Sequence, residues 1–520
     1  MSFPVGTFRL GRRAALAGLG AISVLQGSRP AVAENADTPR QGGTLTVAIQ
    51  NDSKTLDPTF SFQWAERQIL FLIYNTLIAT DLDFSLKPEL ATSWSPENEG
   101  HRYVLQLQEG VKFHDGTDFD AAAVKWNLDR RLDDKVNSTQ RPQLRPVIES
   151  VEVAGPHAVA INLTAPYPPL LAALADRAGF MVSPSAVQKY GQDFGRNPVG
   201  TGAFVFKDWN QGVDVTVERN PNYWQKGLPH WDRIVFNDIG TLNIGIQRLL
   251  TGEADYLDAL SVDELRQIQG DDKLRVEKAK IGRWYTLQFQ VDKPPFNDIR
   301  LRKAIAYALD RDKINAITMG GQARISNGPI PSGVWWSSPD AIVYDREPAR
   351  SKELLKQAGI APGTRLVLSA PDNAVLRKLV QLVVEQLGEV GLDVRLQPVA
   401  QSEWYARVVQ KAIDFTPMRW TQLADPDGML YVLLDSKGYA NTTGYSNPEV
   451  DRMLEEARQS LDQAKRKALY AAVKTKVMED LPYIPLYFSA EYAAIAKSVK
   501  GFAWPPDQIP RFRDTWRGEA

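Results

Sequence analysis

The sequence contains no cysteine in its 520 residues. This absence excludes disulfide bonds, thiolate catalysis, cysteine zinc sites and iron–sulfur clusters. It also excludes the acylated cysteine that a bacterial lipoprotein needs. Histidine is scarce: the four present are His101, His114, His157 and His230, and none lies at ligand spacing from another. The sequence therefore predicts no histidine metal site and no cofactor, although carboxylates could still bind a hard cation.

An excess of charge of one sign is also absent. The 61 Lys and Arg residues balance the 62 Asp and Glu residues to a net charge of −1. Neither nucleic acid nor an anionic membrane surface is therefore indicated as a partner. A hydrophobic content of 43% with 24% charged residues is typical of a soluble globular protein. A length of 520 residues exceeds what one domain normally holds.

Residues 1–33 have the pattern of an export signal. Arg12-Arg13 is a twin-arginine pair, residues 14–25 form a weakly apolar segment, and Ala31-Val32-Ala33 matches a cleavage site. The apolar segment is too short to span a bilayer. Its modest hydrophobicity beside paired arginines favours the twin-arginine route over an ordinary Sec signal. The sequence predicts a periplasmic protein, cleaved near Ala33 and not a lipoprotein.

Gly200-Thr201-Gly202 predicts a tight corner of the chain where a side chain would not fit. A phosphate-binding loop is disfavoured, because no third glycine and no Gly-Lys-Ser/Thr follows. A hairpin is predicted after the corner instead, with a turn at residues 210–212 and the alternating Val213, Val215 and Val217 on its second strand. Such a hairpin does not provide the helix N-terminus that phosphate loops use.

His114 and Asp115 could be interpreted as a general acid/base pair. Adjacent residues directly before a turn are more often structural, and the structural interpretation is preferred. Strand and helix patterns alternate to the end of the chain, which predicts an α/β fold of two or more lobes.

Six segments in order resemble the solute-binding proteins of ABC importers, in the peptide/nickel/opine class. They are residues 86–94, 110–117 (G-V-K-F-H-D-G-T), 199–224, 250–255 (L-T-G-E-A-D), 293–312 and 344–359. The resemblance covers nearly the whole chain after the signal. It implies a two-lobed periplasmic-binding-protein fold, α/β in class, with an extra subdomain inserted in lobe I. It also implies a ligand cleft between the lobes that closes by a hinge motion.

The resemblance also implies a division of the chain. After the signal, lobe I would comprise residues 34–84, 199–287 and 488–520. The inserted subdomain would comprise residues 85–198, and lobe II residues 288–487. The protein would act as a monomer that delivers a small organic or peptide-like ligand to the transmembrane subunits of an ABC permease.

One position bears on the ligand. In peptide-binding members, an aspartate three residues before an Asp-Pro-Asp-like motif receives the α-ammonium group of the peptide. The corresponding segment of this chain is residues 418–428, M-R-W-T-Q-L-A-D-P-D-G. Counting back three residues from Asp425 places Gln422 at the position of that aspartate. A neutral glutamine is a poorer partner for a buried ammonium group. The resemblance therefore disfavours an ordinary peptide with a free N-terminus.

Other candidate ligand-binding residues surround this segment. Arg419 could pair bidentately with a carboxylate or phosphate, or form a structural salt bridge. The aromatic residues could line the cleft or belong to the core: Trp420, Trp404, Tyr285 and Trp64. The nickel branch uses a histidine and an arginine, and no histidine follows residue 230, so nickel is disfavoured.

Three functions are consistent with these sequence features. The preferred one is a periplasmic receptor for a small solute, peptide-derived or opine-like and anionic, with no catalytic residues. The alternative is a secreted hydrolase that uses a carboxylate pair, because the separation of two carboxylates is not readable from sequence. The Gly-x-Ser-x-Gly and His-Glu-x-x-His motifs of other hydrolases are absent. A chaperone-like or sensor role on the same fold is the third.

Overall fold

The computed structural model describes residues 38–50, 53–61, 63–340, 342–371 and 374–519. The predicted export signal, residues 1–33, lies outside the described residues. Within the described ranges, no helix combines the length and apolar character needed to cross a membrane.

A seven-stranded sheet forms the centre of lobe I. In spatial order its strands are Leu274–Lys278, Tyr492–Ala496, Tyr256–Leu260, Thr44–Ile49, Arg233–Asp238, Asp214–Arg219 and Phe204–Asn210. The first strand in sequence pairs in parallel with Arg233–Asp238, and its Leu45 and Val47 are fully buried. The helices of this lobe are Trp64–Ile73, Leu242–Thr251 and Val262–Ile268. Helix Trp64–Ile73 packs Ile69 and Ile73 against the sheet, because residues four apart lie on one face of a helix.

The glycine corner and the hairpin are confirmed. A Cβ at Gly200 would overlap the Ile73 carbonyl oxygen, and one at Gly202 the Leu72 carbonyl oxygen, so the corner lies directly on the end of helix Trp64–Ile73. The predicted hairpin is the antiparallel pair Phe204–Asn210 and Asp214–Arg219. Only two of its three valines fit the predicted alternation: Val215 and Val217 are buried, whereas Val213 precedes the strand and is exposed.

The structural interpretation of His114 and Asp115 is also confirmed. His114 Nε2 lies 3.0 Å from the Gly202 carbonyl oxygen, and the His114 backbone N–H donates to the Gly200 carbonyl. Burial lowers the pKa of His114 to about 4, so the ring is neutral at neutral pH. Asp115 accepts a hydrogen bond from the Ser183 hydroxyl. The pair therefore joins the 110–117 segment to the glycine corner.

A four-stranded antiparallel sheet lies between helix Trp64–Ile73 and the glycine corner in the sequence. Its strands in spatial order are Ala91–Glu97, Arg102–Leu107, Ala158–Leu163 and Ile148–Gly155. Its helices are Ala121–Leu132, Arg141–Leu144, Pro169–Ala173 and Pro184–Tyr190. The sheet has its own hydrophobic cluster, which includes Leu105, Val124 and Leu128. The cluster also includes Leu77 and Ile78 of lobe I, so the sheet packs on lobe I as we propose for an inserted subdomain.

Lobe II is built on a second four-stranded sheet and a parallel strand pair. The sheet order is Arg324–Ile325, Tyr483–Phe488, Trp284–Phe289 and Phe415–Trp420, and the parallel pair is Arg365–Pro371 with Asp393–Val399. The helices are Ile299–Ala308, Arg311–Met319, Pro348–Gln357, Ala374–Glu389, Gln401–Val409, Asp427–Leu434, Pro448–Gln459 and Gln463–Asp480. The expected lobe boundary at residue 287 falls inside strand Trp284–Phe289, which pairs with two strands of the second sheet. We propose that the boundary lies before Trp284.

Two chain segments cross between the lobes side by side. The Ala279 N–H donates to the Glu491 carbonyl at 3.0 Å, and the Ser489 N–H donates to the Arg283 carbonyl at 2.9 Å. A Cβ at Gly282 would overlap the Ser489 carbonyl oxygen, so the two backbones are in contact there. We propose that these paired crossovers form the hinge about which the lobes bend.

The stability of the protein should depend on pH through Asp258, which interacts with Arg283 and Glu491 of the crossover segments. Asp258 is buried, and burial raises its pKa to about 7, although the positive charge of Arg283 acts in the opposite direction. The negative charge of Glu491 also raises the pKa. The Tyr256 hydroxyl donates a hydrogen bond to the Asp258 carboxylate. The proton is therefore held by the folded chain over a pH range in which the unfolded chain has lost it. The stability contributed by Asp258 is fully present below pH 4 and is lost as the pH rises through 7.

Asp258→Asn cannot ionise, so we expect its melting temperature relative to the wild type to rise between pH 5 and pH 8. Differential scanning calorimetry at several pH values measures this difference. Asp272→Asn, at an exposed position, is the control and should give a flat difference. A flat difference for Asp258→Asn as well would contradict the prediction.

Candidate functional site

A cavity of about 180 Å³ lies where lobe I, the subdomain and lobe II meet. Its wall includes residues from helix Trp64–Ile73, from two subdomain segments, from the segment after strand Phe415–Trp420 and from the C-terminal segment. Their charged or polar contributions include Arg67, Gln143, Asp176, Arg177, Asp425 and Asp507. The cavity therefore has the position of an inter-lobe ligand cleft.

Lobe I and the subdomain share a buried ion-pair network at the cavity. Arg67 Nη2 lies 2.9 Å from Asp176 Oδ2 and 3.8 Å from Asp507 Oδ2. Asp507 is also paired with Arg511, at 2.6 Å. Each carboxylate is thus held by at least one guanidinium group, which offsets part of the cost of taking it out of water.

Two polar atoms in this network have no hydrogen-bond partner among the described residues: Arg67 Nε and Asp176 Oδ1, both buried. Buried polar groups normally have partners, so a donor and an acceptor left open in a cavity wall favour a ligand or water that binds there. Burial alone would raise the pKa of Asp176, but Arg67 and Arg177 outweigh burial and hold the pKa below its usual value. Asp176 is therefore an ionised acceptor.

The lobe II side contributes Asp425. Its Oδ1 accepts from Arg466 Nη2 at 2.7 Å and from the Asp427 backbone N–H at 2.9 Å. The wall itself carries two guanidinium groups and three carboxylates: Arg67 and Arg177 against Asp176, Asp425 and Asp507. Arg466 and Arg511 pair with Asp425 and Asp507 from behind the wall. The wall therefore offers both guanidinium groups and carboxylates to a ligand.

The structure separates the residues that the sequence grouped together. Asp425 lies on the cavity wall. Gln422 is buried, with Nε2 at 3.5 Å from Met429 Sδ, and lies behind the wall rather than on it. Trp404 is buried in a hydrophobic cluster with Val408, and its indole N–H donates to the Thr416 hydroxyl at 2.9 Å.

Arg419, Trp420 and Tyr285 lie on neighbouring strands near the hinge. Tyr285 and Arg419 are directly opposed in the antiparallel pair, and the interaction with Tyr285 raises the pKa of the exposed Arg419. Tyr285 itself is buried and stacks on Tyr487, with ring centroids 5.0 Å apart. Trp420 is half-buried and packs against two hydrophobic clusters. These residues lie outside the wall formed by Arg67 and Asp176.

Trp64 is half-buried at the first position of the helix that carries Arg67. The Arg283 guanidinium group lies 5.9 Å from its ring centroid. Its indole nitrogen is buried and has no hydrogen-bond partner in the described part of the chain. Trp64 is therefore placed between the hinge and the cavity.

Sequence reasoning missed the charged residues of the wall. The sequence does mark Asp176 and Arg177, because these two charged residues interrupt the otherwise apolar run of residues 170–182. Charged residues inside a run that reads as buried are candidates for paired or functional groups. Arg67 and Asp507 had no comparable local signal. Among the described residues, no group of three or more His, Asp or Glu side chains could hold a metal ion.

Known proteins match this chain over most of its length. The sequence model of the bacterial extracellular solute-binding proteins, family 5, matches residues 85–441. The glutathione-binding protein GsiB of Pectobacterium atrosepticum is 31% identical over 479 residues, which cover 90% of this chain and 93% of that protein. The glutathione-binding protein GsiB of Escherichia coli strain K12 is 30% identical over 482 residues, covering 90% and 94%.

Solved structures share the fold. The periplasmic binding protein DppA of Helicobacter pylori, in complex with the peptide STSA, superposes with a TM-score of 0.84 at 24% identity, covering 92% of this chain and 99% of that one. A dipeptide-binding protein of Pseudoalteromonas sp. SM9913, in complex with Met-Leu, has a TM-score of 0.83 at 22% identity, covering 92% and 100%.

The two lobes, the paired crossovers and the cavity between them define a two-lobed periplasmic-binding-protein fold, as the sequence predicted. The chain belongs to family 5 of the bacterial extracellular solute-binding proteins. It is a solute-binding protein of an ABC importer, a class that works with permease subunits and is not a class of enzymes.

Proposed function

We propose that the protein captures a small, acidic, peptide-like solute in the cavity beside Arg67, and that glutathione is the first ligand to test. The observation that carries this proposal is the buried network in which Arg67 Nε and Asp176 Oδ1 lack partners among the described residues. A ligand carboxylate can accept from Arg67, and a ligand ammonium group can donate to Asp176.

Glutathione suits this wall chemically. It carries two carboxylates and one ammonium group at neutral pH, a net charge of −1. The wall offers the guanidinium groups of Arg67 and Arg177 to the carboxylates and the carboxylate of Asp176 to the ammonium group. The similarity to the glutathione-binding protein GsiB supports the same choice.

Thermal unfolding with a panel of ligands tests the proposal. We expect glutathione to raise the melting temperature, since a ligand at 100 times its Kd stabilises the folded chain by about 2.7 kcal/mol. Glutathione disulfide, dipeptides, opines and small organic acids complete the panel, and isothermal titration calorimetry gives the affinities. No stabilisation by any of them would contradict a peptide-like ligand.

The proposal that this chain is not an enzyme has its own support. A carboxylate-pair hydrolase needs one carboxyl group that keeps its proton near neutral pH. Asp176, the carboxylate with an open acceptor, is held ionised by two arginines, and Asp425 and Asp507 are each paired with an arginine. Asp176 is therefore not placed to act as a general acid.

We further propose that the chain is exported through a twin-arginine signal cleaved near Ala33, is not lipid-anchored, and acts as a monomer beside its permease. The sequence of residues 1–33 supports the export route, and the lack of cysteine supports a protein without a lipid anchor. Replacing Arg12-Arg13 by Lys-Lys should abolish export if the twin-arginine route is used. Cell fractionation measures the outcome, and unchanged export would favour the Sec route.

Gln422→Asp tests the proposed amine-anchor position. If residue 422 reaches the ligand amine on closure, a carboxylate there should raise the affinity for peptides with a free α-amine by about tenfold, because a hydrogen bond to a charged group stabilises by about 1.5–3 kcal/mol. Calorimetric titration with a dipeptide measures the change. Gln422→Asn keeps the amide and is the control. Unchanged affinity in Gln422→Asp would mean that residue 422 does not contact the amine.

A further inference from the structure

The subdomain and lobe II meet at a buried polar contact beside the cavity. The Tyr167 hydroxyl donates to Asp427 Oδ2 at 2.9 Å, and both side chains are 2% exposed. Tyr167 precedes helix Pro169–Ala173, whose residues line the cavity, and Asp427 begins the helix that contains Gly428 of the cavity wall. The contact therefore joins two parts of the wall that lie far apart in the sequence.

Arg458 completes the contact from lobe II. Its guanidinium group lies 3.5 Å from the ring centroid of Tyr431 and 4.9 Å from that of Tyr167. Its Nε lies 3.2 Å from Asp427 Oδ1. Arg458 thus pairs with Asp427 within lobe II. When the subdomain is docked, the Tyr167 ring also stacks on the guanidinium group of Arg458.

The burial of this contact depends on both partners. Burial raises the pKa of Asp427 to about 6, even though Arg458 acts in the opposite direction. Gly100 of the subdomain lies against Leu461 nearby, where a Cβ would meet the leucine side chain at 3.2 Å. If the lobes bent apart at the Gly282–Ser489 hinge, Tyr167 and the Asp427–Arg458 pair would each be hydrated separately.

We propose that Tyr167 is a latch of the inserted subdomain, which holds lobe II in the closed position by donating to Asp427 and stacking on Arg458. The latch is a positioning device: Tyr167 is not among the residues that line the cavity, but it sets how fast the closed cavity reopens. The effect on ligand release rests on the proposed function, because it requires that the ligand binds in this cavity. The effect on lobe closure does not depend on the identity of the ligand.

The test uses Tyr167→Phe, which keeps the ring over Arg458 and removes the hydroxyl. Tyr431→Phe is the matched control, since it also stacks on Arg458 but donates to Glu455 within lobe II, at 3.0 Å. Because the chain has no cysteine, spin labels attach only at introduced sites, Val153→Cys in the subdomain and Arg452→Cys in lobe II. Double electron–electron resonance then reports the distance between them, with and without glutathione.

We expect Tyr167→Phe to shift the distance distribution toward longer distances and to lower the ratio of closed to open molecules by about tenfold. Stopped-flow measurement should show about tenfold faster glutathione release, with little change in the association rate. Tyr431→Phe should match the wild type in both. Tyr167→Phe distributions equal to those of the control, in both conditions, would overturn the proposal. Glutathione that leaves every distribution unchanged would instead count against the proposed ligand, while the ligand-free samples still test the latch.

Discussion

Arg67→Met is expected to weaken glutathione binding by at least about 30-fold and to destabilise the fold. Methionine keeps the apolar stem but removes the guanidinium group that lies 2.9 Å from Asp176 and 3.8 Å from Asp507. Truncating one partner of a buried charge pair at a binding site costs about 2–5 kcal/mol of binding energy, and 2 kcal/mol corresponds to about 30-fold. Breaking the pair also leaves Asp176 without its nearest cation, which costs about 3–5 kcal/mol of stability.

Calorimetric titration and thermal unfolding measure the two effects separately. Arg67→Lys should fall between the wild type and Arg67→Met, because lysine keeps the charge but cannot provide the planar guanidinium fork. Arg40→Met is the control: Arg40 and Glu519 form an exposed pair, which contributes about 0–1 kcal/mol. If Arg67→Met bound glutathione as tightly as the wild type, the ligand would have to occupy another part of the cleft.

Gly282→Ala is expected to destabilise the protein by about 2–3 kcal/mol and to disturb closure of the lobes. The added Cβ would overlap the carbonyl oxygen, carbonyl carbon and amide nitrogen of Ser489. These are backbone atoms, which cannot rotate away as the end of a flexible side chain can. The two crossovers would have to move apart, which would strain the hydrogen bond from the Ser489 N–H to the Arg283 carbonyl.

Gly388→Ala is the matched control for this substitution. Gly388 lies in helix Ala374–Glu389, and a Cβ there would meet no described atom within 4 Å. Alanine should therefore stabilise the helix by about 0.5–1 kcal/mol, since glycine has the larger backbone entropy in the unfolded chain. Differential scanning calorimetry should give shifts of opposite sign for the two variants. Equal melting temperatures would mean that the crossover backbones do not touch in solution.

Local features of the fold were predictable because neighbouring residues decide them. The glycine corner at residues 200–202 follows from the lack of a Cβ, and the hairpin after it follows from a turn and a two-residue alternation. His114 and Asp115 were correctly interpreted as structural. Val213 was misplaced because the strand begins one residue later than the alternation indicated, and strand ends are set by pairing partners as much as by local pattern.

The candidate site could be predicted only in part. Asp425 was found through a motif, and the structure places it on the cavity wall. The same segment contains Gln422 and Trp420, and the local sequence does not show which of these side chains faces the cavity. Trp404 and Tyr285 likewise have the residue type of a cleft wall, yet both pack into hydrophobic clusters. Aromatic side chains suit pockets and cores equally, and only the packing around them decides between the two.

The sequence by itself determined the class of the protein, because the six ordered segments and the alternation of strands and helices pointed to a two-lobed solute-binding protein. Only the tertiary structure brought Arg67, Asp176 and Asp507 together, from three distant parts of the chain. The physical reason is that an ion pair in a cavity depends on how the lobes and the subdomain pack against each other. No periodicity within one helix or strand records that arrangement.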